Sequence, residues 1–365
     1  MKLLFYLGHP AHFHLLKNTI AYFKNDGNEV VVLIKKKDIL EELCQQDKLD
    51  YINILPEGKG RSHFSTIYGL LKRDYRIFNL IRKNKPKLLI GSEPSLAHVG
   101  KLLNIPSLIL CEDDAEFIPG FALLAYPFVS HIVSPQITSA WKWEYKKIGY
   151  NSYHELAYLH PNHFNPDIGL INNHIITDKP FFILRFSKLE AYHDKGTFGI
   201  TDELALQIIN LLKDYGSVYI NSEREIPEKL EQYRLKLPSK YMHHALKYCK
   251  LLICDSQTMA AEAAMLGTPS IRFNGHVDKN IAYLEELEKK YKLTFGVKVD
   301  NSTSLIYKIQ EIISPESNDK KWQTRRAELL KDKIDLSAFL IWFIQEYPGS
   351  VTILENDPNY QYRFK

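Results

Sequence analysis

An apolar run, Leu251-Leu252-Ile253-Cys254, passes directly into Asp255-Ser256-Gln257-Thr258 and then a small-residue helical stretch ending at Gly267-Thr268-Pro269. A helix that starts at Ser256 offers free backbone N–H groups and a positive dipole end, which together can hold a phosphate. Ala260 and Ala261 are small enough to let a ligand approach. Thr258 and Glu262 are four residues apart and share a helical face, so a carboxylate lies about 6 Å along the axis from the phosphate position, a spacing that suits a ribose hydroxyl. A plain N-capped helix with an exposed glutamate is the competing reading, although Glu262 is too deep for strong dipole stabilisation.

Other chemistry-bearing residues collect where strands end. Gly8 to His14 carries His9, His12 and His14 between a first strand and a first helix, the edge of a parallel sheet at which ligands bind. Metal ligation by the three histidines and simple packing or capping both fit this spacing. Arg185 closes a strand and is followed by Ser187, His193 and Asp194; a guanidinium there can clamp a diphosphate or form an ion pair. Glu93 follows Leu89-Ile90-Gly91-Ser92, and Glu112, Asp113 and Asp114 follow Leu108 to Cys111. Glu93 can open the helix after it, and the acidic run reads by default as a solvated turn. Asn274, His276 and Asn280 sit in a glycine-containing polar loop, by default a turn.

The elements that must position these residues follow from patterning. Short apolar runs at Leu3 to Leu7, Glu29 to Ile34, Leu88 to Gly91, Ser107 to Cys111 and His131 to Ser134 alternate with helical segments at Leu15 to Asn25, Tyr68 to Lys83 and Pro94 to Leu103. The alternation degrades from Tyr150 to Lys179 and restarts with strands at Phe181 to Phe186, Ser217 to Asn221, Leu251 to Asp255 and Pro269 to Phe273. A chain of 365 residues accommodates two such halves. The expected domains are 1–170, 171–336 and an aromatic helical tail, 337–365, that packs back on the first. The 47 Lys plus Arg against 43 Asp plus Glu leave +4, too slight a bias for a phosphate-neutralising nucleic-acid binder. Four scattered cysteines predict neither disulfides nor a cysteine-ligated zinc and fit a reducing, cytoplasmic compartment. No run of 18 apolar residues predicts a membrane span.

The Asp255 to Pro269 stretch resembles the donor-binding motif of two GT-B families, the peptidoglycan N-acetylglucosaminyltransferase and the non-hydrolysing UDP-N-acetylglucosamine 2-epimerase. Gln257 and Thr258 stand where the epimerase has two glycines. A resemblance covering most of the chain is to domain-of-unknown-function family 354, itself placed among GT-B proteins. It is carried by Gly8 to His14, Gly149-Tyr150 through His154 to Leu159, Arg185-Phe186 with Ala191 to Asp194, and Thr258 to Pro269. The resemblance implies an α/β GT-B fold, two Rossmann-like domains facing across a cleft, the first holding an acceptor and the second a nucleotide-sugar donor. It implies that Ser256, Gln257, Thr258 and Glu262 bind the nucleotide, beside Arg185 and Ser187 placed there by position, and that the loop at Asn274 reaches the donor sugar. His12 becomes a general base toward the acceptor. His193 belongs to the active site, with Glu93 as a candidate acid. Metal-independent glycosyl transfer from a UDP-linked sugar to a glycan or glycolipid acceptor, in cell-envelope polysaccharide synthesis, is the leading expectation. A 2-epimerase using Glu93, Glu112, Asp113 and His193 is the enzymatic alternative, and a non-catalytic nucleotide-sugar binder the third. The expected partners are the donor and the acceptor, without nucleic acid; peripheral association with the inner face of the cytoplasmic membrane stays open.

Overall fold

The computed structural model describes residues 1–57, 63–187, 199–275, 277, 279, 281–314 and 319–365. The chain divides into one unit of residues 1–163 and 333–365 and a second of residues 164–332.

The first unit is built on a seven-stranded sheet in the order β3-β2-β1-β4-β5-β6-β7, parallel throughout. Its strands are β1 Lys2–Leu7, β2 Glu29–Lys35, β3 Ile52–Leu55, β4 Leu88–Gly91, β5 Ser107–Leu110, β6 His131–Pro135 and β7 Lys147–Tyr150. Leu3 to Leu7 and Leu88 to Ile90 are buried, as unbroken apolar strands of a sheet covered on both faces must be. The strand order reverses beside β1, so the ends of β1, β4 and β5 form the edge at which such sheets hold ligands.

The first helix begins at Pro10, five residues before the expected Leu15, and runs to Asn25. Proline at the first helical position has no N–H to leave unsatisfied, and its fixed φ suits the helix. His9 takes the capping place usually held by Ser or Asp: its Nδ1 accepts the Ala11 N–H at 3.2 Å. The chain returns to this unit at Lys333, and a tail helix, Leu336–Gln345, packs on the first helix. Asp335 caps it by accepting from Ala338 N–H at 3.1 Å and also receives His163 Nε2 at 2.8 Å.

The second unit carries a five-stranded parallel sheet in the order β12-β11-β10-β8-β9. Its strands are β8 Phe181–Phe186, β9 Ser217–Ser222, β10 Leu251–Cys254, β11 Ser270–Phe273 and β12 Thr294–Val297. The helix Gln257–Leu266 follows β10 and ends on Gly267, whose φ of +74° is left-handed. That φ favours glycine, and a side chain there would also press on the Gln323 and Arg326 side chains. All four cysteines are free and buried. Among the described residues, no helix is long and apolar enough to cross a membrane.

Candidate functional site

In the second unit the site begins at neighbouring strand ends. Arg185 of β8 and Cys254 of β10 are register partners, which brings Arg185, Ser187, Asp255 and the start of helix Gln257–Leu266 to one sheet edge. Ser256 is the N-cap, and its hydroxyl accepts the Met259 N–H at 3.3 Å. That leaves the Gln257 and Thr258 N–H groups of the first turn directed out of the helix end. Gln257 is half-buried, and its Nε2 is buried with no hydrogen-bond partner among the described residues. The same holds for Nε of Arg185, whose outer nitrogens donate to Asn221 and Glu223. Both are buried donors at one sheet edge, where an anionic ligand could supply the acceptors.

Asp255, which the sequence offered only as the head of the motif, organises this edge. Its Oδ1 accepts the Ser187 N–H at 2.6 Å. Asn274 donates from Nδ2 to the Asp255 carbonyl at 3.0 Å and is itself fully buried, so its side chain serves the loop. Burial raises the Asp255 carboxyl to about 6 against the opposing pull of the Ser187 bonds and Arg185. A Cβ at Gly199 would collide with the Asp255 carboxylate, so glycine is needed for this approach.

Glu262 is not an exposed carboxylate. It is 6% exposed and accepts from Nε2 of His243, on the neighbouring helix Met242–Tyr248, at 2.9 Å. Helix-to-helix pairing is thus its first role. Arg272, one strand over, pairs with Glu288 at 2.9 Å. His193 and Asp194, with His276 and Asn280, lie outside the described residues.

The histidine-rich segment of the first unit resolves into three separate roles. His9 caps the helix. His12 lies under the turn before it, where Gly8 N–H donates to its Nδ1 at 3.1 Å. Because that nitrogen accepts, the neutral ring carries its hydrogen on Nε2, where it is a donor, whereas the sequence reading makes His12 a general base. Burial, with His9, Lys35 and His154 adding to it, holds the ring well below the ordinary histidine range, so the neutral form prevails. His14 packs its ring 5.1 Å from that of Tyr158. Among the described residues, no group of three or more His, Cys, Asp or Glu side chains is placed to hold a metal ion.

Glu93 is 3% exposed, with Oε2 3.0 Å from Lys35 Nζ and Oε1 3.1 Å from Arg73 Nε. Both oxygens are engaged by cations, an arrangement of an anchor rather than of a proton carrier. The acidic run after β5 is not a solvated turn. Asp114 is buried and accepts the Ser139 N–H at 2.7 Å, and burial followed by Asp114 raises the Asp113 carboxyl to about 6. Glu112 Oε2 lies 3.4 Å from Nδ1 of His154, a residue in the stretch after Tyr150 where the sequence alternation degrades. Finding His154 in advance required recognising β7, after which it would have been a polar group just past a strand end.

The two-unit architecture occurs in solved structures. A UDP-GlcNAc 2-epimerase from Methanocaldococcus jannaschii is 16% identical with a TM-score of 0.65, over 95% of this chain and 100% of that one. The Neisseria meningitidis UDP-GlcNAc 2-epimerase bound to UDP-GlcNAc is 13% identical with a TM-score of 0.65, over 95% and 100%. The Streptomyces sp. SF2575 glycosyltransferase SsfS6, complexed with thymidine diphosphate, is 14% identical with a TM-score of 0.58, over 95% and 99%. The fold is therefore the GT-B arrangement of two Rossmann-like units. No curated protein matches the sequence. Residues 1–293 match the family described as "Protein of unknown function (DUF354)", and the chain belongs to that family.

Proposed function

We propose that this protein transfers a sugar from a nucleotide diphosphate sugar, UDP-linked, to a hydroxyl acceptor of the glycan or glycolipid class. The observation that carries the reading is the helix start after β10. There, two first-turn N–H groups, the buried Gln257 Nε2 and the buried Arg185 Nε lie at one sheet edge without acceptors among the described residues. A diphosphate supplies oxygens for such donors, and its charge is favoured at the positive end of the helix. Ser187 belongs to this edge through Asp255, and Ser256 holds the helix start in shape. Glu262, held by His243 and one turn along from Thr258, takes the ribose hydroxyls.

Developing charge on the leaving diphosphate is stabilised by these preset donors, a contribution typically worth several kcal/mol per well-placed group. In the first unit, His12 presents an N–H to the acceptor and orients it. The epimerase reading is weakened on one count: Glu93, among its acids, has both oxygens in ion pairs. The fold is shared by epimerases and glycosyltransferases alike, so the reaction is decided by experiment. Calorimetric titration with UDP and UDP-GlcNAc tests the donor site, and binding of neither removes it. Incubation with UDP-GlcNAc alone then separates the chemistry: conversion to an epimer without acceptor overturns transfer, and acceptor-dependent release of UDP supports it.

A further inference from the structure

Between Glu116 and Lys142 the chain carries no Asp, Glu, Lys or Arg, its longest run without a charged side chain. Part of the run forms β6, and part, the helix Pro119–Ala125 with the turn after it, presents apolar side chains to solvent. Leu123, Leu124 and Phe128 are 50%, 45% and 44% exposed, and Leu102, near the end of the helix Pro94–Leu103, is 72% exposed. His98 joins them into one surface. Its Nε2 lies 2.8 Å from the Leu124 carbonyl, its ring is 5.2 Å from that of Phe128, and Leu102 follows one helical turn along the same face. The rim is made of other residue types. Lys146 Nζ donates to the carbonyls of Tyr126, Pro127 and Val129, each at 2.9 Å, which ties the turn carrying Phe128 to the segment Trp141–Lys146. That segment exposes Trp141, Lys142 and Tyr145, and Lys101 is exposed beside Leu102. The carboxylates nearby are engaged: Asp74 with His98 Nδ1 at 3.0 Å, Glu116 with the Ser139 hydroxyl at 2.9 Å and Glu144 with the Ala140 N–H at 2.5 Å.

We infer that this face of the first unit docks on an anionic lipid bilayer, with Leu102, Leu123, Leu124 and Phe128 entering the acyl boundary and Trp141, Tyr145, Lys101 and Lys142 at headgroup level. The inference does not depend on the transferase reading, because it concerns a surface of one unit and no reacting group. An exposed apolar patch with a polar rim marks an interaction site. Its occupant follows from the rim. Every cation there is a lysine, a residue that protein–protein interfaces avoid, whereas tryptophan, tyrosine and lysine together suit the boundary between lipid and water. The apolar centre gains from burial among acyl chains, and each lysine adds attraction to an anionic headgroup layer. Among the described residues no helix is long and apolar enough to cross a membrane, so the face lies on the bilayer.

Co-sedimentation of the full chain with vesicles of phosphatidylcholine alone, and of phosphatidylcholine mixed with phosphatidylglycerol, tests the inference. The protein should bind the mixed vesicles, at least about tenfold more weakly the neutral ones, and less tightly as salt is raised. Lys101→Gln should cost about fivefold in affinity, the worth of one lysine near an anionic surface. Leu123→Ser combined with Phe128→Ser should cost at least about tenfold, while Tyr307→Ser, at an exposed aromatic of the second unit, should cost nothing. Circular dichroism and the melting temperature show whether each variant is folded, and Leu102→Ser, at the most exposed of the four apolar positions, carries the test if the double variant is not. Failure of the unaltered protein to bind the mixed vesicles overturns the inference, as does binding that the folded patch variants retain in full. Sedimentation velocity reads the remaining outcome: a dimer that the patch variants lose, with no vesicle binding, assigns the face to a second copy of the chain and overturns the bilayer.

Discussion

Each unit has a strand that turns into a helix at the carboxyl edge of its sheet, and the two turns treat their backbone donors in opposite ways. After β1 the first-turn donors are spent inside the protein: Pro10 has none, Ala11 N–H goes to His9 Nδ1, and His12 N–H goes to the His9 carbonyl at 3.0 Å, while Gly8 N–H goes to His12 Nδ1. After β10 a single hydroxyl, that of Ser256, meets one N–H and leaves two. A strand-to-helix turn is therefore not by itself an anion site. What decides is whether neighbouring side chains have already consumed the donors, and only the turn in the second unit has kept them.

The same contrast predicts which substitutions damage folding and which damage binding. The largest effect belongs to Glu93→Ala, which strands the Lys35 and Arg73 charges around a buried position. Breaking such a pair costs about 3–5 kcal/mol, so chemical denaturation should show a loss of that order while UDP affinity stays unchanged. A drop in UDP affinity with intact stability would mean that Glu93 faces ligand.

Thr258→Glu makes the reverse prediction. A carboxylate in the first turn is favourable to the helix itself, so the melting temperature should hold or rise. The same charge repels a diphosphate, and UDP should bind roughly 30- to 100-fold more weakly, about 2–3 kcal/mol. Ala11→Glu, at the matching turn of the first unit, should leave UDP affinity alone. Equal losses in both variants would end the distinction between the two turns.

Asp255 sharpens it further through pH. Its folded carboxyl, raised to about 6, lies above the ordinary value near 4. The folded state thus holds more protons than the unfolded state between these limits, and stability from this group is present at about pH 4 and lost as pH rises through 6. Asp255→Asn keeps an oxygen for the Ser187 N–H and removes the charge. It should raise the urea midpoint at pH 7 by the equivalent of at most about 2–3 kcal/mol, and by much less at pH 4.5. In the first unit His9 and His154 run the other way: their values are lowered to about 4 and about 3, so their contribution is lost as pH falls below the ordinary histidine range. An Asp255→Asn gain that is the same at both pH values would remove the carboxyl from this account.

Much of this was legible in the order of residues. The interior strands β1, β2, β4, β5, β6, β8, β10 and β11 are largely apolar runs, and all were read from the sequence. The three that escaped, β3, β7 and β12, are outermost strands of four residues each. An edge strand pairs on one side only and tolerates Asn53, Lys147 or Thr294, so it lacks the unbroken apolar signature. The donor-side turn was legible because Ser256 is an ordinary cap, and Asp255 was missed in role because burial, invisible in sequence, makes it organise the loop. Glu262 illustrates the limit of spacing arguments. Helical periodicity set it on the face of Thr258, but the partner that claims it, His243, comes from 19 residues earlier on another helix. His154 was hidden for the same reason: its pairing with Glu112 is made by a crossing of the chain that begins at an unrecognised strand.

The smallest effect expected from the comparison is at His9, which caps the first helix without touching the donor half. His9→Ala removes the acceptor for the Ala11 N–H and should cost about 0.5–2 kcal/mol, the usual range for losing a cap. His9→Ser supplies a hydroxyl cap and should recover most of it. Neither change should alter UDP affinity, because the donors of this turn serve the turn itself. The two variants also separate capping from metal binding, the other chemistry open to three clustered histidines. A cap is restored by serine, whereas a metal ligand is not, since a neutral serine hydroxyl is a poor substitute for an imidazole on zinc. A serine variant that fails to recover stability, together with zinc-dependent stabilisation of the unaltered protein, would replace the capping role with a metal site and make the first turn a ligand site after all.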